Sequence, residues 1–236
     1  MRVSRGPTLP QLTKTIQGRI DGIDKREWRI PVMDGINVMD FPFRVGMVDL
    51  DPIMAVVNPL LKQKRTCIQA GGCFGVWPVY FAGMFESVIT FEPEPVNYKC
   101  LVANTSHLPN VCCFNAALWS SAGERVGLGL DRKMHNNSGA YFVTAVGSIP
   151  TATIDDLNVT DCDLLVLDVE GAEYDAILGA AETIRRCHPV IVLEDKGHDK
   201  RFKRERPANA LELLSQFGYA VVGRPTPWDL VLVEAV

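Results

Sequence analysis

The sequence contains no long apolar run and no excess of positive charge. Among its 236 residues, no stretch stays apolar for the roughly 20 residues that a membrane helix needs, so we expect no membrane partner. The formal net charge is −4, which does not favour a nucleic-acid partner held through overall charge. The first twenty residues have no apolar segment like that of a signal peptide, and we expect a cytoplasmic protein.

Paired cysteine motifs are missing as well. The seven cysteines form no Cys-x-x-Cys pair, and Cys112 is adjacent to Cys113. This arrangement suits neither a disulfide framework nor a zinc ribbon. What is present, 47% hydrophobic and 22% charged residues, is typical of one globular domain with a substantial core.

From about residue 66 onward, short apolar runs alternate with segments of helical period. The runs predict buried strands over residues 66–70, 87–93, 110–118, 163–171 and 189–194. The segments between them predict crossover helices over residues 76–85, 97–108 and 172–187. This alternation is typical of βα units that build a parallel sheet.

The two ends of the chain depart from this pattern. Runs 219–223 and 229–236 are separated by only five residues, too few for a crossover helix, so they predict an antiparallel hairpin. We therefore predict an α/β protein with a Rossmann-like, doubly wound, mostly parallel sheet and one antiparallel strand in a C-terminal hairpin. Residues 1–60 are predicted to form an N-terminal extension or cap that leads into the core, and residues 61–236 the main domain.

The first of these strands ends in a glycine turn, QAGGCFG (69–75). In a doubly wound sheet, ligands bind beyond the carboxyl ends of the strands, and a glycine turn there lets a cofactor approach the backbone. Gly71 and Gly75 have the spacing of the outer glycines of G-x-G-x-G, but the strict dinucleotide fingerprint is missing. Taken alone, the turn fits a plain strand-to-helix connection equally well.

The second strand ends in Glu92, and Pro93 and Pro95 follow it. An acidic residue at this distance from the glycine turn accepts hydrogen bonds from ribose hydroxyls in nucleoside-binding α/β folds. The simpler alternative is a solvated carboxylate at the end of a strand. Glu94 lies beyond the strand, so we expect it to be the more exposed of the two acids.

Three carboxylates follow the run at 163–167. Asp168 and Glu170 point to the same side if the strand continues, whereas Glu173 falls in the first turn of the next helix, where a negative charge favours the helix dipole. The sequence favours a functional role for Asp168, with helix capping or loop ordering as the alternative.

Taken together, these motifs resemble those of the FkbM-type methyltransferases, a branch of the class I S-adenosylmethionine-dependent enzymes. The resemblance covers about residues 51–236 and is most specific where FEP and DVEGAE occur together; it also includes CIQAGGCFG, NAAL and PVIVLE. It implies a seven-stranded sheet with its reversed strand near the C-terminus, and S-adenosylmethionine as the cofactor.

The resemblance also implies which residues contact the cofactor. Loop residues would hold its amino-acid part, and Glu92 with its neighbour would hold the ribose. Two residues would lie near the adenine, and Asp168 would face the sulfonium. The full set is Gly71, Gly72, Cys73, Gly75, Glu92, Pro93, Asn115, Ala116 and Asp168. Two positions depart from the family pattern. Gln69 replaces the usual acidic residue and lacks the charge that would attract the cofactor's ammonium group, and Cys73 replaces a small polar residue.

Methyl transfer from a sulfonium requires an aligned acceptor and a group that removes the acceptor's proton. The candidates are Asp168, Glu194 and His198. Asp168 and Glu194 end adjacent strands in the predicted order, so they could instead hold Mg²⁺ or another divalent cation; metal-free catalysis is slightly favoured. His198 falls in a charged run, 195–206, where a surface histidine is the simpler interpretation.

The acceptor is not identified by any motif. The run 195–206 is either a solvated loop or a binding segment for a phosphate or sugar-nucleotide acceptor, and the polar segment 131–142 is a second acceptor-facing candidate.

The leading hypothesis is an S-adenosylmethionine-dependent O-methyltransferase acting on a small sugar-like or otherwise hydroxylated acceptor. The alternatives are a non-catalytic scaffold of the same fold, prompted by Gln69, and a nicotinamide dehydrogenase, in which DVEGAE has no role. The oligomeric state is left open.

Overall fold

The computed structural model describes residues 12–18, 26–33, 47–130, 137–196 and 209–235. Within these ranges, the backbone forms a seven-stranded sheet, a three-stranded sheet and a two-stranded sheet, with helices between the strands. None of the described helices combines the length and the apolar character needed to cross a membrane.

The N-terminal part of the chain contains one hairpin and one helix. The elements are β1 (Thr13–Gly18), β2 (Arg26–Pro31) and α1 (Met47–Val57), which runs into a 3-10 turn (Asn58–Leu60). β1 and β2 pair antiparallel. In this part of the chain, β1 is a strand that the sequence patterns did not indicate.

The main sheet is built from successive βα units. Its first half consists of β3 (Thr66–Ala70), α2 (Val76–Ala82), β4 (Ser87–Phe91), α3 (Pro95–Thr105) and β5 (Val111–Phe114). Its second half consists of β9 (Leu164–Leu167), α4 (Glu173–Leu178), α5 (Ala181–Cys187), β10 (Val190–Glu194), α6 (Ala210–Gln216), β11 (Tyr219–Gly223) and β12 (Asp229–Glu234).

The strand order is β11-β12-β10-β9-β3-β4-β5. β12 is antiparallel to both β10 and β11, whereas the neighbouring pairs from β10 to β5 are parallel. The short link between β11 and β12 reverses the chain, as the hairpin prediction required. The predicted fold class is confirmed.

Side chains from the two faces of this sheet fill two separate cores. On β9, Leu164 and Val166 pack into one cluster, while Leu165 and Leu167 pack into the other. These four residues are all at most 1% exposed, because a central strand with helices on both faces has no solvated side. Trp28, on β2, joins the first cluster, so the described part of the N-terminal segment shares a core with the sheet.

A second sheet lies between β5 and β9 in the chain. It consists of β6 (Ala117–Leu118), β7 (Arg125–Leu130) and β8 (Tyr141–Ala152), and a 3-10 turn (Asp155–Leu157) follows it. The sequence analysis treated residues 110–118 as one strand and described no β-hairpin here. The prediction of a single strand was wrong, because the chain leaves the main sheet after β5 and pairs β6 with β8 instead.

The predicted helix over residues 172–187 is also two helices. The helical conformation is interrupted between α4 and α5, at Gly179 and Ala180. A Cβ atom at position 179 would overlap the carbonyl oxygen of Trp119, so the helix ends where this close approach occurs. Apolar periodicity continues across the break, since both helices face the same core.

Candidate functional site

The glycine turn after β3 brings the ends of β3, β4 and β9 together. The amides of Gly71 and Gly72 both donate to the carbonyl of Phe91, at 3.0 and 2.9 Å. Gly71 has a φ of +88°, and a Cβ atom there would overlap the carbonyl oxygen of Asp168. Gly75, with a φ of +102°, precedes the first turn of α2. Glycine is therefore required at position 71 by conformation and by space, and at position 75 by conformation.

Glu92 is buried at the end of β4, with 4% of its surface exposed. Its Oε2 accepts a hydrogen bond from the amide of Cys73 at 2.7 Å, and its Oε1 accepts one from the amide of Glu94 at 2.8 Å. Burial raises the pKa of Glu92 to about 7, although these two backbone hydrogen bonds oppose the shift. The alternative of a solvated carboxylate is wrong for this residue.

Glu94 has a structural role that the sequence analysis did not assign. Its carboxylate accepts hydrogen bonds from the amides of Val96 and Asn97, both at 2.7 Å. It thereby caps the N-terminus of α3, which begins at Pro95. Glu94 is the more exposed of the two acids, as expected, although the capping contacts keep its side chain half-buried.

Gln69 and Asn115 brace the strands of this region. Gln69 is 1% exposed; its Oε1 accepts a hydrogen bond from the Thr90 hydroxyl at 2.6 Å, and its Nε2 donates to the Ala70 carbonyl at 3.1 Å. The side chain of Asn115 donates to the carbonyls of Glu92 and Pro93, at 2.8 and 3.1 Å. These contacts fix the backbone on either side of Glu92.

Two adjoining cavities open at the carboxyl ends of β3, β4 and β9. Six predicted site residues line the first cavity: Gly71, Cys73, Glu92, Pro93, Ala116 and Asp168. Five line the second: Gly71, Gly72, Cys73, Asp168 and Glu194. Three others, Gln69, Gly75 and Asn115, line neither of these cavities. His198 lies outside the described residues, as does most of the charged run 195–206.

Residues that the sequence analysis did not assign to the site also line these cavities. In the first cavity they include Asn97, Leu118, Ser138 and Tyr141, and in the second Trp77, Glu170, Lys196 and Asp229. Tyr141 falls within the segment flagged as acceptor-facing, and Asp229 lies opposite Glu194 in the register of β10 and β12. A hairpin pattern alone does not give that register, so nothing in the sequence pointed to Asp229.

The second cavity contains a cluster of carboxylates. Ligand oxygens of Asp168, Glu170 and Glu194 all lie within 4.8 Å of one another. The carboxyl groups of Asp168 and Glu194 lie close together, and burial raises the pKa of both. For Glu194, the neighbouring charge of Asp168 raises the pKa further. Such a pair holds one proton between two carboxyl groups.

Lys196 neutralises part of this cluster. Its Nζ lies 2.7 Å from Glu194 Oε1 and 3.0 Å from Glu170 Oε1. Burial lowers the pKa of Lys196, but the surrounding carboxylates outweigh that effect and raise it above its ordinary value. The position between these carboxylates that a divalent cation would take is thus already taken by an ammonium group. The donor set suits a hard cation, but in this arrangement it does not fit a metal ion together with Lys196.

Glu173 lies in the first turn of α4, as expected. Its Oε1 accepts a hydrogen bond from the amide of Gly171 at 3.0 Å. It lines neither cavity, and burial raises its pKa to about 7. Glu173 therefore orders the turn that follows Asp168.

The strand order and the position of the cavities together define a class I methyltransferase fold. The chain belongs to the FkbM methyltransferase domain family, whose sequence model matches residues 69–221, well over half of the chain. The match begins at Gln69, the residue that opens the glycine turn, and extends to β11. The family resemblance is therefore confirmed, and no curated protein matches the chain at a significant level.

Several solved structures are similar to this chain at low identity. Methyltransferase FkbM from Methylobacillus flagellatus KT is 17% identical, with a TM-score of 0.46; the match covers 73% of this chain and 44% of that one. A Streptococcus mutans protein solved in complex with SAH is 11% identical, with a TM-score of 0.47 and coverage of 79% and 98%. The DhpI–SAM–HEP complex is 13% identical, with a TM-score of 0.43 and coverage of 80% and 87%. Similarity at this level says nothing about the substrate of this chain.

Proposed function

We propose that this chain is an S-adenosylmethionine-dependent O-methyltransferase that acts on a small sugar-like or otherwise hydroxylated acceptor. The observation that carries the proposal is the pair of Asp168 and Glu194, whose carboxylate oxygens lie within 4.8 Å of each other at the second cavity. Asp168 lines both cavities, so it lies between the two chambers of the site. Membership of a methyltransferase family supports one chamber for the methyl donor and one for its acceptor.

The first cavity has the lining that the nucleoside part of the cofactor needs. The buried carboxylate of Glu92 would accept a hydrogen bond from a ribose hydroxyl, and Ala116 and Leu118 offer an apolar surface to the adenine. The amino-acid part would follow the turn at Gly71 and Gly72 into the second cavity. This course places the sulfonium near Asp168.

The reaction in this proposal is an in-line displacement. The acceptor oxygen attacks the methyl carbon, the carbon–sulfur bond breaks, and its electron pair stays on sulfur. The acceptor's proton passes to the pair of Asp168 and Glu194. Because that pair holds one proton and keeps one negative charge, it can act as the general base.

Two features of the second cavity favour a hydroxylated acceptor. Asp168, Glu170 and Asp229 present carboxylate oxygens, which accept hydrogen bonds from hydroxyl groups. Trp77 lines the same cavity and offers an apolar aromatic surface, on which the carbon–hydrogen face of a sugar ring could pack. Since Lys196 already bridges Glu170 and Glu194, we propose that the reaction needs no divalent cation.

The test is Asp168→Asn, which keeps the shape of the side chain and removes its charge. Release of S-adenosylhomocysteine would be followed across a panel of sugars, nucleotide sugars and phenols, and cofactor binding would be measured by calorimetry. Turnover should fall by roughly 10²–10⁴-fold, while cofactor affinity stays nearly unchanged. Glu182→Gln is the matched control, because Glu182 is an acid on the exposed side of α5, with its side chain 70% exposed.

Three outcomes would contradict parts of the proposal. Full activity of Asp168→Asn on an accepted substrate would remove Asp168 from the chemistry. Activity that is lost with a chelator and restored by Mg²⁺ or Mn²⁺ would show that a metal is required. Tight cofactor binding without turnover on the whole panel would support the scaffold alternative.

A further inference from the structure

Asn97, in the first turn of α3, has a buried acceptor atom without a partner. The residue is 2% exposed and lines the first cavity. Its Nδ2 donates to the carbonyl of Ser138 at 2.7 Å and lies 3.4 Å from Glu92 Oε1. Among the described residues, no donor lies within hydrogen-bond distance of its Oδ1.

The orientation of this amide is fixed by its neighbours. Both atoms next to Nδ2 are acceptors, a carbonyl oxygen and a carboxylate oxygen, so exchanging the nitrogen and oxygen would place three acceptors together. Oδ1 is therefore the atom that lacks a donor. A buried acceptor left without a donor is unfavourable and needs an explanation. A donor group on a bound ligand would provide that partner.

The position of Asn97 beside Glu92 indicates which ligand group that is. Glu92 already accepts hydrogen bonds from two backbone amides and has the Asn97 amide against its Oε1. A carboxylate has about four acceptor positions, so little of its capacity is left for two further donors. The vicinal hydroxyls of a ribose are two donors side by side, and Glu92 and Asn97 are two acceptors side by side.

We propose that one ribose hydroxyl of the cofactor donates to Glu92 and that the other donates to Asn97 Oδ1. This inference rests on the proposed function, since it takes a ribose-containing cofactor as the ligand of the first cavity. Asn97 then contacts the ribose directly. Its Nδ2 continues to donate to the carbonyl of Ser138, in the segment that leads into β8. The contact also explains why the side-chain amide of Asn97 is buried beside the carboxylate of Glu92.

The experiment measures binding by calorimetry for S-adenosylhomocysteine and its 2′-deoxy and 3′-deoxy analogues. Asn97→Ala should weaken binding of S-adenosylhomocysteine by about three- to tenfold, the range for one neutral hydrogen bond. One of the two deoxy analogues should bind Asn97→Ala as tightly as it binds the wild type, because it lacks the hydroxyl that Asn97 accepts. Asn97→Ser shortens the side chain and leaves a hydroxyl that can donate toward Glu92, so it is the second variant if Asn97→Ala fails to fold, and it should lose the same discrimination between the analogues.

The matched control is Asn110→Ala. Asn110 also donates from its amide to two carbonyls, those of Ala82 and Phe85, each at 2.9 Å, but it lines neither cavity. Its removal should leave all three affinities unchanged. Equal weakening of all three ligands by Asn97→Ala, or no weakening of any, would overturn the inference and leave Glu92 and the cofactor in place. Failure of the wild-type protein to bind S-adenosylhomocysteine would overturn the proposed function, and this inference with it.

Discussion

At the scale of single residues, Gly71 shows how little room the glycine turn leaves. Its φ of +88° lies in the region that L-residues rarely adopt, and a Cβ atom would overlap the Asp168 carbonyl oxygen. Gly71→Ala therefore meets both backbone strain and a backbone collision. We expect it to lower the free energy of unfolding by about 3 kcal/mol or more, measured by urea denaturation.

Gly123→Ala separates the two causes in that prediction. Gly123 has a φ of +81°, but a Cβ atom there would meet nothing within 4 Å. Gly123→Ala should lower the free energy of unfolding by about 1–2 kcal/mol, the effect of a left-handed backbone conformation alone. Equal losses in the two variants would show that the Asp168 carbonyl moves aside easily.

Gln69 supports a prediction that differs from the one its family position suggests. Gln69→Glu would keep the hydrogen bond from Thr90 but would turn a carboxylate toward the Ala70 carbonyl in a site that is 1% exposed. We expect a loss of about 2–3 kcal/mol of stability at pH 7, with the affinity for S-adenosylhomocysteine unchanged. Thermal unfolding and calorimetry would measure the two quantities.

The surface substitution Gln216→Glu is the control for that charge change, since Gln216 is exposed in the last turn of α6. It should change stability by less than about 0.5 kcal/mol. Tighter cofactor binding by Gln69→Glu would instead show that position 69 contacts the cofactor's ammonium group.

At the scale of secondary structure, Asn104 on α3 joins three elements. Its Oδ1 accepts a hydrogen bond from the Arg29 amide at 2.8 Å, and its Nδ2 donates to the carbonyls of Arg29 and Phe74, at 2.8 and 2.7 Å. These contacts tie β2 and the glycine turn to one helix. They give the described part of the N-terminal segment a definite contact with the site, although its role as a cap remains a prediction.

Asn104→Ala should therefore loosen the β1–β2 hairpin more than the main sheet. We expect faster amide hydrogen exchange in β1 and β2, little change in β3 and β9, and a loss of about 2 kcal/mol in global stability. Asn110→Ala, which removes amide contacts elsewhere, should leave exchange in the hairpin as it is. Uniformly faster exchange across all strands would contradict this role.

At the scale of the whole molecule, buried acids should make stability depend on pH. Burial raises the pKa of Glu92 and of Glu173 to about 7, from an ordinary value of 4.5. The folded state then binds more protons than the unfolded state between these values. The stabilisation is complete below the unfolded pKa and is lost as pH rises through the folded pKa.

The free energy of unfolding should thus fall between pH 5 and pH 8. Each group should contribute about 2 kcal/mol to the fall, or ~4–8 °C in melting temperature. Glu173→Gln keeps an acceptor for the Gly171 amide and removes one titration, so its free energy of unfolding should fall by about 2 kcal/mol less than that of the wild type. A flat profile for the wild type would contradict the raised pKa values.

Much of the main sheet could be predicted from sequence because its strands are buried on both faces. The run 66–70 coincides with β3, and the run 189–194 differs from β10 by one residue. The predicted strands agree least with the structure where the observed strands are incompletely buried. β7 and β8 belong to a small sheet with exposed positions such as Val146, which is 86% exposed, so their pattern is weaker than that of a core strand.

The order of the βα units, the glycine turn and the acid at the end of β4 follow from local patterns of apolar residues, glycine and proline, so they could be predicted. Which polar side chains meet depends on the tertiary fold. Asn97 reaches Ser138 across 41 positions of the chain, and Lys196 reaches Glu170 across 26. Such contacts depend on which strands become neighbours and on where each chain segment leaves the sheet. Local sequence patterns carry neither piece of information, because one hydrophobic pattern is compatible with several strand orders.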